Sequence, residues 1–307
     1  MSKEFEGRVA IVTGAGNGLG RSHARALAAA GATVVVNDLG ALTEIGLVPS
    51  PASVRVAEEI ISEGGKAIAD FANVADAAEV AALVARTIER FGRIDILVNN
   101  AGMLRDKSFA KMELADFKTI LDVHVVGSVN VTKAVWPIMR EQNYGRIVFT
   151  SSTSGLFGNF GQANYGTAKA AMLGLMNVLH IEGAKNDIRV NCLAPTAATD
   201  MTKGLLSAEA EELLGPDTVS PAVLFLVSEN APSKMVMGAG AGVFSAIHVL
   251  ETAGVYLPPD QRTSADFARR LDEIRDLSGA RNLDGAFQQT EKFVNAALAA
   301  IRSEKGI

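Results

Sequence analysis

Arg8 to Thr13 reads RVAIVT, a short apolar run rich in Val and Ile that gives way to glycines before the Ala-rich stretch from Arg21 to Ala30. Such a pattern predicts a strand, a tight turn and a helix. The alternation then repeats with strands TVVVND at Thr33 to Asp38 and KAIAD at Lys66 to Asp70, and helices near Ala52 to Glu63 and from Asp76 to Phe91. IDILVNN, a long helical stretch through Trp136, GRIVFTSS, a helix from about Gln162 to Ala184, and IRVNCLAP continue it. Right-handed crossovers between parallel strands deposit helices on both faces of a sheet, so the fold class is α/β: a Rossmann-type, doubly wound, mostly parallel sheet.

Thr196 to Asp217 interrupts the rhythm with no clear strand, which suits a lid beside a site. Pro221 to Glu229 and Met235 to Val243 predict one more helix and strand. Past Pro258-Pro259, Ser264 to Leu277 and Asp284 to Ile301 read as two amphipathic helices. The expected organisation is a Rossmann-type domain over 1–257 and a C-terminal helical extension of the same domain over 258–307.

The chain has 307 residues, 48 % of them hydrophobic, enough for one large core. Its net charge of −5 comes with scattered Lys and Arg, so neither nucleic acid nor an anionic membrane is an expected partner and a small molecule is. Cys192 is the single cysteine, which excludes an internal disulfide and a cysteine-based zinc cluster. No apolar run approaches about 18 uninterrupted residues, and Met1 to Gly7 lacks the character of an export signal, so a cytoplasmic protein is expected.

Thr13-Gly14-Ala15-Gly16-Asn17-Gly18-Leu19-Gly20 joins the first strand to the first helix. Gly14 permits a sharp turn, while Gly18 and Gly20 remove side chains where a pyrophosphate and the strand come close. The start of the helix offers unpaired N–H donors to an anion. Alone, the pattern is also that of an ordinary glycine-rich connection. Asp38, closing the second strand, adds a carboxylate that accepts from ribose hydroxyls and repels a 2′-phosphate. No Arg or Lys stands beside it in Asn37-Asp38-Leu39-Gly40, which predicts NAD over NADP. Asn99-Asn100-Ala101-Gly102 ends a central strand, where open α/β sheets bind ligands, although Asn and Gly favour simple turns as well.

Tyr165 and Lys169 stand four residues apart in NYGTAK, on one face of the helix predicted there. Taking a proton from an alcohol while hydride leaves its carbon requires a base, and a free tyrosine, with pKa about 10, needs a nearby positive charge to act as one at neutral pH. Ser152, on the serine-rich turn after GRIVFTS, can hold the substrate oxygen as it changes between alcohol and carbonyl.

With TGAGNGLG, NNAG, the second Ser of SSTSG and YGTAK in this order, the chain resembles the short-chain dehydrogenase/reductases from about Arg8 to Val243. The resemblance implies Tyr165 as general acid/base, Lys169 as the residue that binds the nicotinamide ribose and lowers the tyrosine pKa, and Ser152 as substrate orienter. It also implies a homodimer or homotetramer. VVVNDLG, LRDKSFAKM and GNFGQANY resemble in particular the branch containing the (3R)-hydroxyacyl-CoA dehydrogenase unit of peroxisomal multifunctional enzyme type 2 and its bacterial relatives.

The chain departs from the family pattern at three places. His124 occupies a position where many members carry an Asn that completes a proton relay; it either supports a water relay or packs against its neighbours. Asn73-Val74 stands where an Asp-Val pair often lies near the adenine, and Pro195-Thr196 where Pro-Gly is frequent, with Thr196 and Thr199 remaining candidates for the nicotinamide amide. Phe157, Asn159, Phe160 and Gln162, between Ser152 and Tyr165, either touch substrate or pack a fixed loop. Cys192 reads as core, and His23, His180 and His248 show no metal-ligand spacing.

The expected activity is therefore NAD-dependent hydride transfer between nicotinamide and a secondary alcohol or ketone, with a (3R)-hydroxyacyl-CoA preferred as substrate. A hydroxysteroid or another hydrophobic alcohol is the alternative within the class. A non-catalytic NAD-binding sensor or scaffold is the alternative outside it.

Overall fold

The computed structural model describes residues 3–43, 46–48, 51–198 and 207–305. Every position of β1 (Val9–Thr13) is buried, as a strand with parallel neighbours and helices on both faces must be. The other sheet strands are β2 (Thr33–Asn37), β3 (Lys66–Asp70), β4 (Ile96–Asn99), β5 (Gly145–Thr150), β6 (Ile188–Pro195), β7 (Val236–Gly240) and β8 (Val243–Ile247). They lie in the order β8-β7-β6-β5-β4-β1-β2-β3. Pairing is parallel from β3 through to β7. The order reverses between β1 and β4, and the crevice outside the carboxyl ends of those strands is where such sheets bind ligands.

The connecting helices are α1 (Gly18–Ala29), α2 (Pro51–Ser62), α3 (Ala77–Phe91), α4 (Leu114–Leu121), α5 (Gly127–Gln142), α6 (Thr153–Phe157), α7 (Ala163–Gly183), α8 (Ala208–Leu213) and α9 (Ser220–Leu226). Local chemistry sets their ends. The Asp76 side chain accepts from the Ala78 and Glu79 amides to start α3, and Gly92 at φ 73° stops it. Ala10, Val12, Val34 and Val36 of the strands bury one face of the sheet against Ala24 and Leu27 of α1, Val56 and Ile60 of α2, and Val223 and Leu226 of α9.

Several elements differ from the pattern read in the sequence. The long helical stretch divides into α4 and α5 at a π-helical turn over Asp122–Val126, and α5 continues past Trp136 to Gln142. The single strand expected over Met235 to Val243 is two, because Ala241 at φ 50° and Gly242 at φ 73° make a turn between β7 and β8. A small antiparallel hairpin pairs Ala41–Thr43 with Gly46–Val48, where no strand was expected. In the interrupted stretch the described part holds α8; residues 199–206 of the expected lid lie outside the described residues.

The chain divides into two compact units, Met1–Ala246 and Ile247–Ile307. In the second, the helix expected over Ser264 to Leu277 is broken into α10 (Ser264–Arg269) and α11 (Leu271–Ile274), because Arg270 leaves helical geometry at φ −101°, ψ 8°. A capping box between Thr263 and Asp266 starts α10. The unit ends in α12 (Ala286–Lys305), whose Lys292 donates to Glu251 at 2.9 Å. Among the described residues no helix is long and apolar enough to cross a membrane.

At the amino ends of β5 and β6, away from the crevice, Arg146 is 1 % exposed. Its guanidinium donates to the carbonyls of Ser228 at 3.0 Å, Gly145 at 2.9 Å and Asp187 at 2.7 Å, and to the Asp187 carboxylate at 3.0 Å. Removing it leaves buried acceptors without donors. Arg146→Ala is therefore expected to lower unfolding stability by about 3 kcal/mol in urea titrations. A loss below about 1 kcal/mol would mean that water replaces the side chain.

Candidate active site

Two strand ends meet in the crevice and lock each other. Thr13 Oγ1, at the end of β1, accepts from the amides of Asn100 and Ala101, each at 3.0 Å. Asn100 Nδ2 returns bonds to the carbonyls of Thr13 at 3.0 Å and Gly14 at 3.1 Å. The glycine turn is therefore clamped to the end of β4. A Cβ on Gly14 would stand 2.7 Å from Ala101 Cα, and one on Gly20 would stand 2.2 Å from the Gly14 carbonyl oxygen. Gly14 and Gly18 have φ of 62° and 50°, the left-handed region that glycine enters without steric cost. Asn17 precedes α1 without a side-chain cap, so the first amides of that helix carry no capping side chain. Leu19, partly buried, packs against the core.

Asp38 is pinned beside this turn: its Oδ2 accepts from the Gly16 amide at 2.8 Å and its Oδ1 from the Gly40 amide at 3.0 Å. The other expected cofactor residues are distributed differently. Asn73 Oδ1 accepts from the Ala75 amide at 3.0 Å, and the Val74 carbonyl accepts from Asn130 at 3.0 Å, so both shape the turn into α3. The buried Asn99 side chain donates to Thr132 of α5 at 3.1 Å rather than to the glycine turn. Its neighbour Asn100 is the one that holds the turn. Only the position of the second Asn in NNAG signalled it. Pro195 ends β6, Thr196 is exposed with its amide on the Ala239 carbonyl at 2.8 Å, and Thr199 lies outside the described residues.

Beside the cradle, Ser152, Tyr165 and Lys169 come together. Ser152 caps the short helix α6, its Oγ accepting from the Ser154 amide at 3.2 Å. Helix α6 lies directly on α7, since a Cβ on Gly155 would be 2.7 Å from the Ala170 nitrogen. Ser151 Oγ ties the same junction by donating to the Lys169 carbonyl at 2.9 Å. The Ser152 hydroxyl lies near enough to the Tyr165 phenol to favour its ionised form. Lys169 Nζ lies 5.6 Å from the Tyr165 ring centroid and donates to the Thr150 carbonyl, at the end of β5, at 2.7 Å.

Burial dominates the electrostatics. It raises the Tyr165 pKa above that of a free phenol, opposed by the Ser152 hydrogen bond and reinforced by the Asp106 charge. Burial lowers Lys169 to about 7. The depression of Tyr165 expected from Lys169 is therefore not produced by the chain's own groups. His124, 2 % exposed in the π-helical turn, is held to about 3 by burial and then by the Lys169 charge, with a Met103 backbone bond opposing. Its ring meets that of Tyr165 edge-on, with centroids 5.3 Å apart.

The segment around 104–112 forms a rim bonded to the stretch before Tyr165. The Lys107 amide donates to the Gly161 carbonyl at 2.9 Å, Gln162 Nε2 to Asp106 at 2.7 Å, and Asn164 Nδ2 to the Arg105 carbonyl at 2.9 Å. Gln162 Oε1 also accepts from Ser154 Oγ at 2.7 Å and Asn159 Nδ2 at 3.1 Å, so Asn159 and Gln162 fix the loop. Phe157 and Phe160 are 72 % and 91 % exposed, joined by Phe109 of the rim at 79 %. Cys192 is core: burial pushes its thiol pKa up, and its Sγ lies 3.5 Å from the Met172 carbonyl. His23 and His180 each pair with a serine, Ser220 and Ser233, at 2.9 Å.

A glycine cradle at the switch point of a doubly wound sheet, with Ser, Tyr and Lys gathered beside it, defines a dinucleotide-dependent oxidoreductase. Residues 8–210 match the short chain dehydrogenases, and the chain belongs to that family. It is 44 % identical over 277 residues to a short-chain type dehydrogenase/reductase of Mycobacterium tuberculosis, covering 89 % of this chain and 96 % of that one. It is 42 % identical over 283 residues to peroxisomal multifunctional enzyme type 2 of Drosophila melanogaster, covering 91 % of this chain and 47 % of that enzyme. The full-length structure of the Drosophila enzyme matches with TM-score 0.80 and 35 % identity, over 97 % of this chain and 50 % of that one. This chain thus spans about half the length of that relative. A 7α-hydroxysteroid dehydrogenase solved with NADH and 7-oxo glycochenodeoxycholic acid matches with TM-score 0.70 and 32 % identity, over 78 % and 96 % of the two chains. The chain is accordingly an enzyme of a family that uses nicotinamide cofactors.

The two buried histidines make a pH prediction. His23 and His124 have folded pKa values of about 3, below the ordinary 6.5, so between those values the unfolded chain binds protons that the folded chain refuses. Their contribution to stability is full above about pH 6.5 and falls as pH drops, by up to about 1.4 kcal/mol per pH unit for each. Urea unfolding between pH 6 and pH 5 should therefore show proton uptake approaching two. His23→Gln should remove about one of them, and an unchanged slope would contradict the assignment.

Proposed function

We propose that the chain is an NAD-dependent dehydrogenase that oxidises a secondary alcohol, with a (3R)-hydroxyacyl-CoA as substrate. The convergence of Ser152, Tyr165 and Lys169 at the carboxyl end of β5, next to the clamped glycine turn, carries this reading. Tyr165 accepts the hydroxyl proton as general base while Ser152 steadies the substrate oxygen. Lys169 binds the nicotinamide ribose, and its pKa of about 7 makes its charge responsive near neutrality. The turn from Thr13 to Gly20 holds the pyrophosphate against the start of α1, and Asp38 receives the adenosine ribose. NAD, when bound, supplies the hydride acceptor and a positive ring that favours the Tyr165 phenolate.

The acyl-CoA assignment draws on the resemblance of LRDKSFAKM and GNFGQANY to that branch and on the likeness to peroxisomal multifunctional enzyme type 2. Exposed Phe109, Phe157 and Phe160 give the rim an apolar character that suits an acyl chain. The likeness to a 7α-hydroxysteroid dehydrogenase favours a hydrophobic sterol as the second reading. A homodimer or homotetramer is the proposed assembly, and α5 and α7 carry exposed apolar residues such as Val129, Val178 and Ile181 that a partner copy would cover.

Tyr165→Phe is expected to lower kcat by about 10²–10⁴-fold while NADH still binds, as fluorescence titration would show. Retained turnover would remove Tyr165 from the role. NAD should exceed NADP in kcat/KM by at least about tenfold, a preference that Asp38→Ala should reduce, whereas equal values for the unaltered enzyme would refute the NAD assignment. NADH formation followed in parallel with (3R)-hydroxyacyl-CoA esters, their 3S isomers and hydroxysteroids decides the substrate. R-selective turnover of the thioesters supports the proposal, and turnover of steroids alone overturns it.

A further inference from the structure

Met103, just past the end of β4, presents both halves of its peptide hydrogen-bonding capacity to one atom. Its N–H donor nitrogen lies 3.0 Å, and its carbonyl oxygen 2.9 Å, from His124 Nε2. A neutral imidazole nitrogen is a donor in one tautomer and an acceptor in the other, so the ring satisfies one of these groups at a time. The second ring nitrogen, Nδ1, is buried without a hydrogen-bond partner. The ring fits closely: a Cβ on Gly102 would stand 2.4 Å from His124 Cε1. The ring also meets that of Tyr165 edge-on and feels the Lys169 charge, both from α7. The π-helical turn that carries His124 is itself secured where Ser128 Oγ donates to the His124 carbonyl at 2.7 Å. Single π-helical turns recur at functional sites because the extra residue redirects a side chain.

We propose that His124 is a positioning residue: its ring latches the Gly102–Met103 backbone at the end of β4 beside Tyr165, occupying with one hydrogen bond a place with partners for two. The proposal deepens the dehydrogenase reading above and rests on it for the meaning of Tyr165. At neutral pH the ring is uncharged, since burial and Lys169 both oppose its protonation. It holds backbone and carries no proton through the reaction. An asparagine amide offers a donor and an acceptor together and can serve both Met103 groups, whereas a leucine of similar bulk serves neither.

The test compares wild type, His124→Asn and His124→Leu as full chains, through kcat, the KM for NAD and the pH dependence of kcat/KM, alongside ¹⁵N spectra of the wild-type imidazoles. His124→Leu should lose about tenfold or more in kcat with little change in the KM for NAD, because the glycine turn and Asp38 are untouched. His124→Asn should recover most of that loss and reproduce the wild-type pH profile. The His124 signals should show one protonated and one unprotonated nitrogen from pH 6 to 8. An Asn variant as slow as the Leu variant, loss of a wild-type inflection near neutrality, or an imidazolium spectrum would each overturn the proposal. If Tyr165→Phe proves fully active, the general-base reading fails, while the latch is still decided by the ¹⁵N spectra and by whether His124→Asn melts at or above the wild-type temperature. The wild-type spectra also decide it if the Leu variant does not fold.

Discussion

Parallel pairing imposes the constraint from which the site follows. With β3 through β7 running the same way, their carboxyl ends share one edge of the sheet, and the loops that leave them must share the space above it. Where the order reverses between β1 and β4, successive helices go to opposite faces and a crevice opens. The reciprocal bonds of Thr13 and Asn100 close the base of that crevice, which brings the glycine turn within van der Waals contact of Ala101. Nothing larger than hydrogen fits at Gly14 or Gly20 because backbone already occupies the space.

The chemistry is fastened to the same edge from the other side. Lys169 is buried on α7 and donates to the Thr150 carbonyl, so a side chain that usually stays in water instead ties a helix to the end of β5. Gly155 lets α6 sit on the α7 backbone, which puts Ser152 within reach of Tyr165. The arrangement is costly for charge: the chain alone raises the Tyr165 pKa and lowers that of Lys169. A site whose own groups oppose ionisation is poised to respond to a positively charged ring placed beside it.

Hydrogen bonds brace both the rim and the π-helical turn. Bonds from Lys107, Gln162 and Asn164 fasten the 104–112 segment to the stretch leading into Tyr165, so the exposed phenylalanines stand on a braced frame. His124 bonds the backbone of Met103, the residue just before that segment. Far from the crevice, Arg146 and Asp95 gather charge at the opposite edge of the sheet, where Asp95 receives Arg8 at 3.1 Å and Arg93 at 2.6 Å. That end serves stability.

Apolar runs and glycine positions alone determined the parallel sheet, its helices and the glycine turn, because these rest on local periodicity and on backbone freedom that residue type sets directly. The places of Asp38 and Ser152 at strand ends and of Tyr165 and Lys169 on one helix face were legible for the same reason, since they follow from spacing. Tertiary structure decided the rest. Which of Asn99 and Asn100 meets the glycine turn was not legible, because alternate residues of a strand end face opposite sides and the side that meets the turn depends on the neighbouring strand. The break of α4 and α5 at a π-helical turn, the division of the last sheet segment at Ala241-Gly242 and the break at Arg270 are backbone events that residue type alone does not signal. The direction of the Tyr165 shift depends on burial, a property of everything packed around a group, and so it appears only once the chain is folded.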